Sequence, residues 1–457
     1  MIVMKFGGTS VGEAERLLAV ASIVRSNLHA KPVVVVSALA GVTDSLVRAI
    51  EAAARGDRDG LEPLLASIER RHRWALHGAV EDSRRRHDLG VALDALFEEL
   101  RQLMRAVRVL GEGTPRASDE LLAFGELLSS RILEAVLQGQ GIRARRLDPR
   151  EVVLTDGRHG SAEPDLDAMA DRARRTILPV VEAGEVPVIG GFVGAGPDGR
   201  TTTLGRGGSD TTASALAAAI GAEEIQIWTD VDGLMTADPK IVPEAKTLPR
   251  VSFAEAAELA FYGARVLHPA AIAPAVARGI PVRVLNSLNP SHPGTLILGE
   301  DPGSEPRLAS IASRSGVLLL RFFSRRMRSE SAFLPRIVAA LEREGLAPAL
   351  LVSSELSVSV AVAHAADVSR LATGLAGEFD LSVSERRGLI SAVGSVLLRD
   401  GATKARVLRA LAEIEPEAIG FSGAGPSASA VVSQERLEEA VRALHRRFIE
   451  PVGRVEA

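Results

Sequence analysis

The chain has 457 residues, of which 46% are hydrophobic and 25% charged, with no cysteine and a formal net charge of −4. This is ordinary globular usage, long enough for about three domains. It excludes disulfide scaffolds, thiolate metal centres and cysteine nucleophiles, and carries no electrostatic footprint for nucleic acid or anionic lipid. No apolar run reaches the roughly 18 residues of a membrane span, and the start Met1-Ile-Val-Met-Lys-Phe-Gly-Gly lacks a signal-peptide core, so a cytoplasmic protein is expected. Only Lys5, Lys31, Lys240, Lys246 and Lys404 occur among 54 basic side chains, so each is a candidate for a place that needs a compact ammonium rather than a planar guanidinium.

In chain order, Ile2–Phe6 reads as a short apolar strand, broken by Gly7-Gly8-Thr9-Ser10 and followed by helical periodicity from Glu13 to Asn27. Val33–Val36 is a continuous apolar strand of the kind buried on both faces, which predicts a parallel α/β sheet. From Thr43 to about Gln138 the pattern is helical and charged, and its Arg84-Arg85-Arg86 run reads as a solvated face. Strands return at 186–193, 225–229 and 280–285, separated by an apolar helix over 210–220. The polar, turn-rich 299–306 is the best linker. Beyond it, two strand–helix–strand–strand–helix units of about 70 residues follow the ferredoxin-like pattern, a texture suited to small-molecule sensing, dimerisation or a purely structural appendage.

Four segments carry chemistry. Lys5-Phe6-Gly7-Gly8-Thr9-Ser10 ends a strand, where α/β sheets place ligands, and its glycines and lysine suit phosphate as well as they suit a tight turn. Neither a P-loop nor a GxGxxG fingerprint is present. Gly199-Arg-Thr-Thr-Thr-Leu-Gly-Arg206-Gly207-Gly208-Ser209-Asp210 runs into the Ala-rich helix. Its glycines and hydroxyls precede a helix N-terminus, Arg206 can fork onto a carboxylate or phosphate, and Asp210 can orient cations. Thr229-Asp230-Val231-Asp232-Gly233 follows a buried strand; its acids are a metal pair or turn-formers, and Lys240 downstream can reach a phosphate. Phe261-Tyr-Gly-Ala-Arg265-Val266-Leu-His268-Pro269 adds Arg265 as a nucleotide contact and His268 as a buried imidazole.

Taken together and in this order, these motifs resemble aspartokinase, of the amino-acid kinase superfamily, and the resemblance covers nearly the whole chain. It implies an α/β fold: a three-layer αβα sandwich over 1–300 with a helical insertion at about 44–140, a linker at 301–310, and two ferredoxin-like ACT domains at 311–387 and 388–457. The implied activity is phosphorylation of the aspartate side-chain carboxylate by ATP with Mg2+. Lys5, Asp210 and Lys240 are then catalytic. Lys5, Phe6, Gly7, Gly8, Thr229, Asp230, Met235, Lys240, Arg265 and Val266 meet ATP. Ser37, Thr43, Glu120, Arg206, Gly207, Gly208, Ser209 and Asp210 meet aspartate. Met235 stands where a tyrosine is frequent and Arg265 where a lysine is common.

The resemblance also implies an amino-acid effector near Met327, Ser353, Ser354 and Glu355, and a homodimer or dimer of dimers with no nucleic-acid or membrane partner. Ala349 and Ala332 replace the aspartate and glycine of the lysine-sensitive pattern, so weak or absent lysine inhibition is expected. The alternatives are a kinase for glutamate, acetylglutamate or carbamate, which usually lacks such a tandem, and an inert sensor, against which the joint retention of Lys5, Arg206, Asp210 and Lys240 argues.

Overall fold

The structure is a computed structural model and describes residues 1–262, 269–299, 307–324, 330–363, 368–375, 379–422 and 425–450. Its strands are β1 (Ile2–Phe6), β2 (Pro32–Val36), β3 (Ala144–Leu147), β4 (Val186–Gly190), β5 (Val193–Ala195), β6 (Thr201–Thr203), β7 (Glu224–Thr229), β8 (Arg250–Ser252), β9 (Val282–Asn286), β10 (Thr295–Leu298), β11 (Ser310–Ser324), β12 (Leu350–Ser353), β13 (Ser357–Ala363), β14 (Phe379–Val393), β15 (Ala418–Phe421) and β16 (Ser427–Ser433). Two compact units form, one from 1–233 with 269–299, the other from 234–262 with 307–450.

In the first unit the strands stand in the order β3-β4-β2-β1-β7-β9-β10, parallel except where β10 returns antiparallel to β9. Every residue of β1 and β2 is buried, as their unbroken apolar runs require. Side chains alternate across the sheet. Ile2, Met4 and Phe6 enter a core cluster with Leu17 and Val20 of helix Ala14–Ser26 and with Phe124, Leu128 and Ile132 of helix Pro115–Gly139. Lys5, one residue out of phase, faces the other side, where helix Gly208–Ile220 packs on β1. The stretch between β2 and β3 folds as four long helices, Val42–Ala54, Arg58–Ala79, Ser83–Leu110 and Pro115–Gly139. Three of them start at side-chain caps: Asp57 accepts from the Gly60 amide, Asp82 from Arg85 and Thr114 from Ala117. Arg84-Arg85-Arg86 lies in the first turn of the third.

The second unit is built on an antiparallel sheet in the order β12-β13-β11-β14-β16-β15, which resembles ACT-type domains. Strands β11 and β14 open at Ser310 and Phe379 and pair along their length from Ser310 opposite Val393 to Ser324 opposite Phe379. Their polar portions look like loops in the sequence and become strands because each satisfies the backbone groups of the other. One end of the sheet buries Leu320, Phe322, Ile337, Val358 and Val360; the other buries Ile390, Val407, Leu411, Val432 and Val441. Glu417 joins the two ends, accepting hydrogen bonds from Arg321 at 2.6 Å and pairing with Arg387.

Residues 234–248 belong to this second unit. Ala237 and Val242 enter its core cluster. The Ile311 amide donates to the Thr236 carbonyl at 2.9 Å, Ser310 Oγ to the Met235 carbonyl at 3.0 Å and Arg442 Nε to the Ile241 carbonyl at 2.9 Å. His445 Nε2 lies 3.0 Å from Thr236 Oγ1. Among the described residues no helix is long and apolar enough to cross a membrane.

Candidate active site

At the C-terminal edge of the parallel strands of the first unit lies an open cleft of about 710 Å³. Lys5 and Asp210 stand at its floor, with Ser37, Thr43, Asp119, Glu126 and Arg206 among its walls. This is where a sheet of this type places ligands.

Lys5 Nζ is 2.6 Å from Asp210 Oδ1, and both side chains are nearly buried. The contact is a close ion pair in which each group offsets the other's burial. The pair exists because β1 turns Lys5 to the face on which the first turn of helix Gly208–Ile220 is laid. That helix starts from Gly207, whose φ of +73° is a left-handed conformation that favours glycine. Gly8 has a different reason: a Cβ there would meet the Ala38 carbonyl at 2.9 Å, so only glycine lets the turn after β1 approach the loop after β2.

Arg206 is exposed at the rim and makes no ion pair with any described residue. A guanidinium held open in a cleft is suited to a planar carboxylate. Ser37, at the end of β2, passes its amide to the Phe6 carbonyl at 3.1 Å, and its own carbonyl accepts from Ser129 Oγ at 2.8 Å. Thr43 sits in the first turn of helix Val42–Ala54.

Glu120 does not join this group. It faces a separate groove with Asp148 and Arg150, where Arg150 Nη1 lies 3.8 Å from it. Asp119 and Glu126 line the cleft instead. Seven residues apart, they share a helical face together with Pro115, Ser118 and Leu122, whereas position 120 is rotated about 100° away. The signal available in the sequence was this spacing, with a carboxylate at 126 inside the apolar run Phe124-Gly-Glu-Leu-Leu. Glu126 is 3% exposed. Its Oε1 accepts the Ala38 amide at 3.0 Å and its Oε2 is buried with no partner among the described residues. Burial pushes its carboxyl up to about 8, against smaller opposing effects from the Ala38 hydrogen bond and the Lys5 charge.

Phe6 is fully buried and its ring stacks on Trp228 at 6.0 Å between centroids, so it offers a ligand only its backbone. The Gly7 amide is already committed to the Trp228 carbonyl at 3.1 Å. Thr229 Oγ1 donates to Asp230 Oδ1 at 3.1 Å at the end of β7. Asp232 accepts from Asn286 Nδ2 at 2.9 Å and from Asn289 Nδ2 at 3.2 Å, tying the turn after β7 to the end of β9. No cluster of three acidic or histidine side chains able to hold a metal occurs among the described residues. Met235 and Lys240 lie in the second unit, Lys240 exposed with its amide donating to Asp238 Oδ1 at 2.9 Å. Of the effector residues, Ser354 Oγ bonds Ser357 Oγ at 2.7 Å, Ser353 closes β12 and Glu355 is exposed. Arg265, Val266, His268, Met327 and most of the 299–306 linker lie outside the described residues, as does the side chain of Ala332.

The amino acid kinase family matches residues 1–286. Over 98% of this chain, aspartokinase 2 of Arabidopsis thaliana is 34% identical, with 84% of that protein covered, and lysine-sensitive aspartokinase 3 of Escherichia coli is 33% identical, with 99% covered. The solved structure of E. coli aspartokinase III with lysine and aspartate in the T-state superposes with a TM-score of 0.86 at 33% identity, covering 98% of this chain and 100% of that one. Its R-state complex with aspartate and ADP gives 0.82 at 32%, with the same coverage. The chain therefore belongs to the amino acid kinase family and, within it, to the aspartokinases.

Proposed function

We propose that the protein transfers the γ-phosphoryl group of ATP to the side-chain carboxylate of L-aspartate, giving 4-phospho-L-aspartate and ADP, the opening step of lysine, threonine and methionine synthesis. The observation that carries this reading is the cleft itself. It joins a buried ammonium, Lys5, an exposed guanidinium, Arg206, and a buried carboxyl, Glu126, whose second oxygen has no partner among the described residues. That set is complementary to an amino acid with two carboxylates brought beside a polyphosphate.

Aspartate is ionised at neutral pH, so a carboxylate oxygen attacks phosphorus and ADP leaves without a general base. The obstacle is bringing an anion to a polyanion, and it is met by positive charge and positioning. Lys5, steered by Asp210, stands where charge builds on the transferring group. Arg206 forks onto the α-carboxylate, and Glu126, with Ser37 and Thr43, receives the α-ammonium. Ser209, Gly207 and Gly208 line the same wall. Gly8, Thr229 and Asp230 are assigned to the nucleotide; Met235, Lys240, Arg265 and Val266 are given that role by the family resemblance alone. Magnesium would enter the cleft with ATP. Bound there, it would screen phosphate charge.

The same reading takes 1–300 as catalytic, 301–310 as linker, and 311–387 and 388–457 as ACT domains that pair two copies of the chain and offer an amino-acid site near Ser353, Ser354 and Glu355. A coupled ADP-release assay with aspartate, glutamate and acetylglutamate, with and without magnesium, tests the function. Turnover with aspartate alone is expected; preference for another acceptor refutes it.

A further inference from the structure

Asp119 is a fully buried carboxylate beside the cleft and takes no part in the roles assigned above. Its partners come from separate stretches of chain. Thr203 Oγ1 donates to Oδ1 at 2.5 Å, the Gly160 amide reaches both oxygens at 3.0 and 3.1 Å, and His159 Nδ1 lies 2.8 Å from Oδ2. A carboxylate in this position is costly unless such donors satisfy it, and once satisfied it locks them together.

What it locks is the approach to Arg206. Thr203 ends β6, three residues before Arg206, and the Ala162 amide donates to the Thr203 carbonyl at 2.9 Å. At Gly205, a Cβ would meet the Gly160 carbonyl at 3.2 Å, so the 157–162 loop lies directly against the segment that carries the arginine. Helix Pro115–Gly139, which also supplies Glu126, thus holds both stretches through one side chain.

We infer that Asp119 is a positioning residue for substrate recognition: through Thr203 and the Gly160 amide it sets the height of the Arg206 loop over the cleft and so governs capture of the carboxylate substrate. This rests on the reading that Arg206 grips aspartate. Asp119 touches no substrate; replacing it changes where Arg206 stands relative to Glu126.

The test is steady-state kinetics of the full chain bearing Asp119→Asn, Thr203→Val, Thr203→Ser or Arg206→Lys, with thermal unfolding of each. Asp119→Asn and Thr203→Val are expected to raise the aspartate KM at least tenfold while the ATP KM stays within twofold, and Thr203→Ser, which keeps the hydroxyl, to recover most of the loss. A merely structural Asp119 would lower the unfolding temperature without this split. If Asp119→Asn does not fold, the two Thr203 variants decide. The inference is overturned if Arg206→Lys raises the aspartate KM while folded Asp119→Asn and Thr203→Val do not, or if they raise both KM values equally. If Arg206→Lys itself leaves the aspartate KM unmoved, the assignment of Arg206 falls and the inference with it.

Discussion

Replacing Glu126 by glutamine probes the least ordinary group in the cleft. Burial raises its carboxyl from 4.5 to about 8, so at pH 7 the folded protein without substrate holds it mostly protonated. Glutamine has nearly the shape and charge of that neutral form. Between pH 4.5 and 8 the unfolded chain releases the proton while the fold retains it, so this group destabilises the fold as pH rises, by about 1.4 kcal/mol per pH unit and about 5 kcal/mol in all. The contribution is intact below pH 4.5 and lost as pH climbs through 8. Glu126→Gln removes the dependence. Urea unfolding of both proteins from pH 5 to 9 should give similar stability at the acid end and a growing advantage for the variant toward pH 8. Aspartate reverses the ranking. Its ammonium favours the ionised acid, so wild-type binding should release a proton near pH 7, measurable by calorimetry in buffers of different ionisation enthalpy. The variant should lose about 1.5–3 kcal/mol of binding, the worth of a hydrogen bond to a charged group. A stability difference flat between pH 5 and 8.5 would refute the reasoning, because it would mean that the carboxyl is already ionised in the fold.

Lys5→Ala removes the buried cation beside Asp210 and should slow turnover roughly 100-fold, about 3 kcal/mol; a folded variant with unchanged kcat would end that assignment. Ala349 is 7% exposed and carries no carboxylate to meet an effector ammonium, so millimolar lysine should inhibit weakly or not at all at limiting aspartate, and micromolar inhibition would show that another acid supplies the charge. Strand β12 is an edge of the antiparallel sheet, with Leu351 and Leu356 exposed on and beside it. Such edges are commonly covered by a partner, so Leu351→Lys should shift sedimentation toward a smaller species, and no shift argues against dimerisation through this edge.

The alternation of apolar runs and helices was legible because strands buried on both faces cannot hide: β1, β2, β4, β7 and β9 all lie within or beside the stretches expected. The polar halves of β11 and β14 were not, since their strand character comes from pairing with each other across more than 50 residues. At the cleft, Lys5, Arg206 and Asp210 come together from glycine-bearing segments that the sequence marks out for close backbone approach. Glu120 lines another groove, although it is one residue from Asp119 and six from Glu126 on the same helix. A motif in a continuous helix fixes position along the axis but not rotation about it, and burial decides the rotation.

The placement of residues 234–248 bears on how the molecule opens. In sequence this stretch runs between β7 and β8, yet polar ties of Met235, Thr236 and Ile241 and the side chains of Ala237 and Val242 are made with 307–450. Cooperative unfolding follows packing rather than chain continuity. In native-state hydrogen exchange, the protected amides of Thr236, Val242 and Lys246 should therefore exchange together with those of β11 and helix Leu437–Phe448, while β7 and β9 keep the slower exchange of the parallel sheet. A cavity made at Val441, two hundred residues downstream and fully buried, would loosen the segment that carries Lys240 before it touched the strand that carries Lys5.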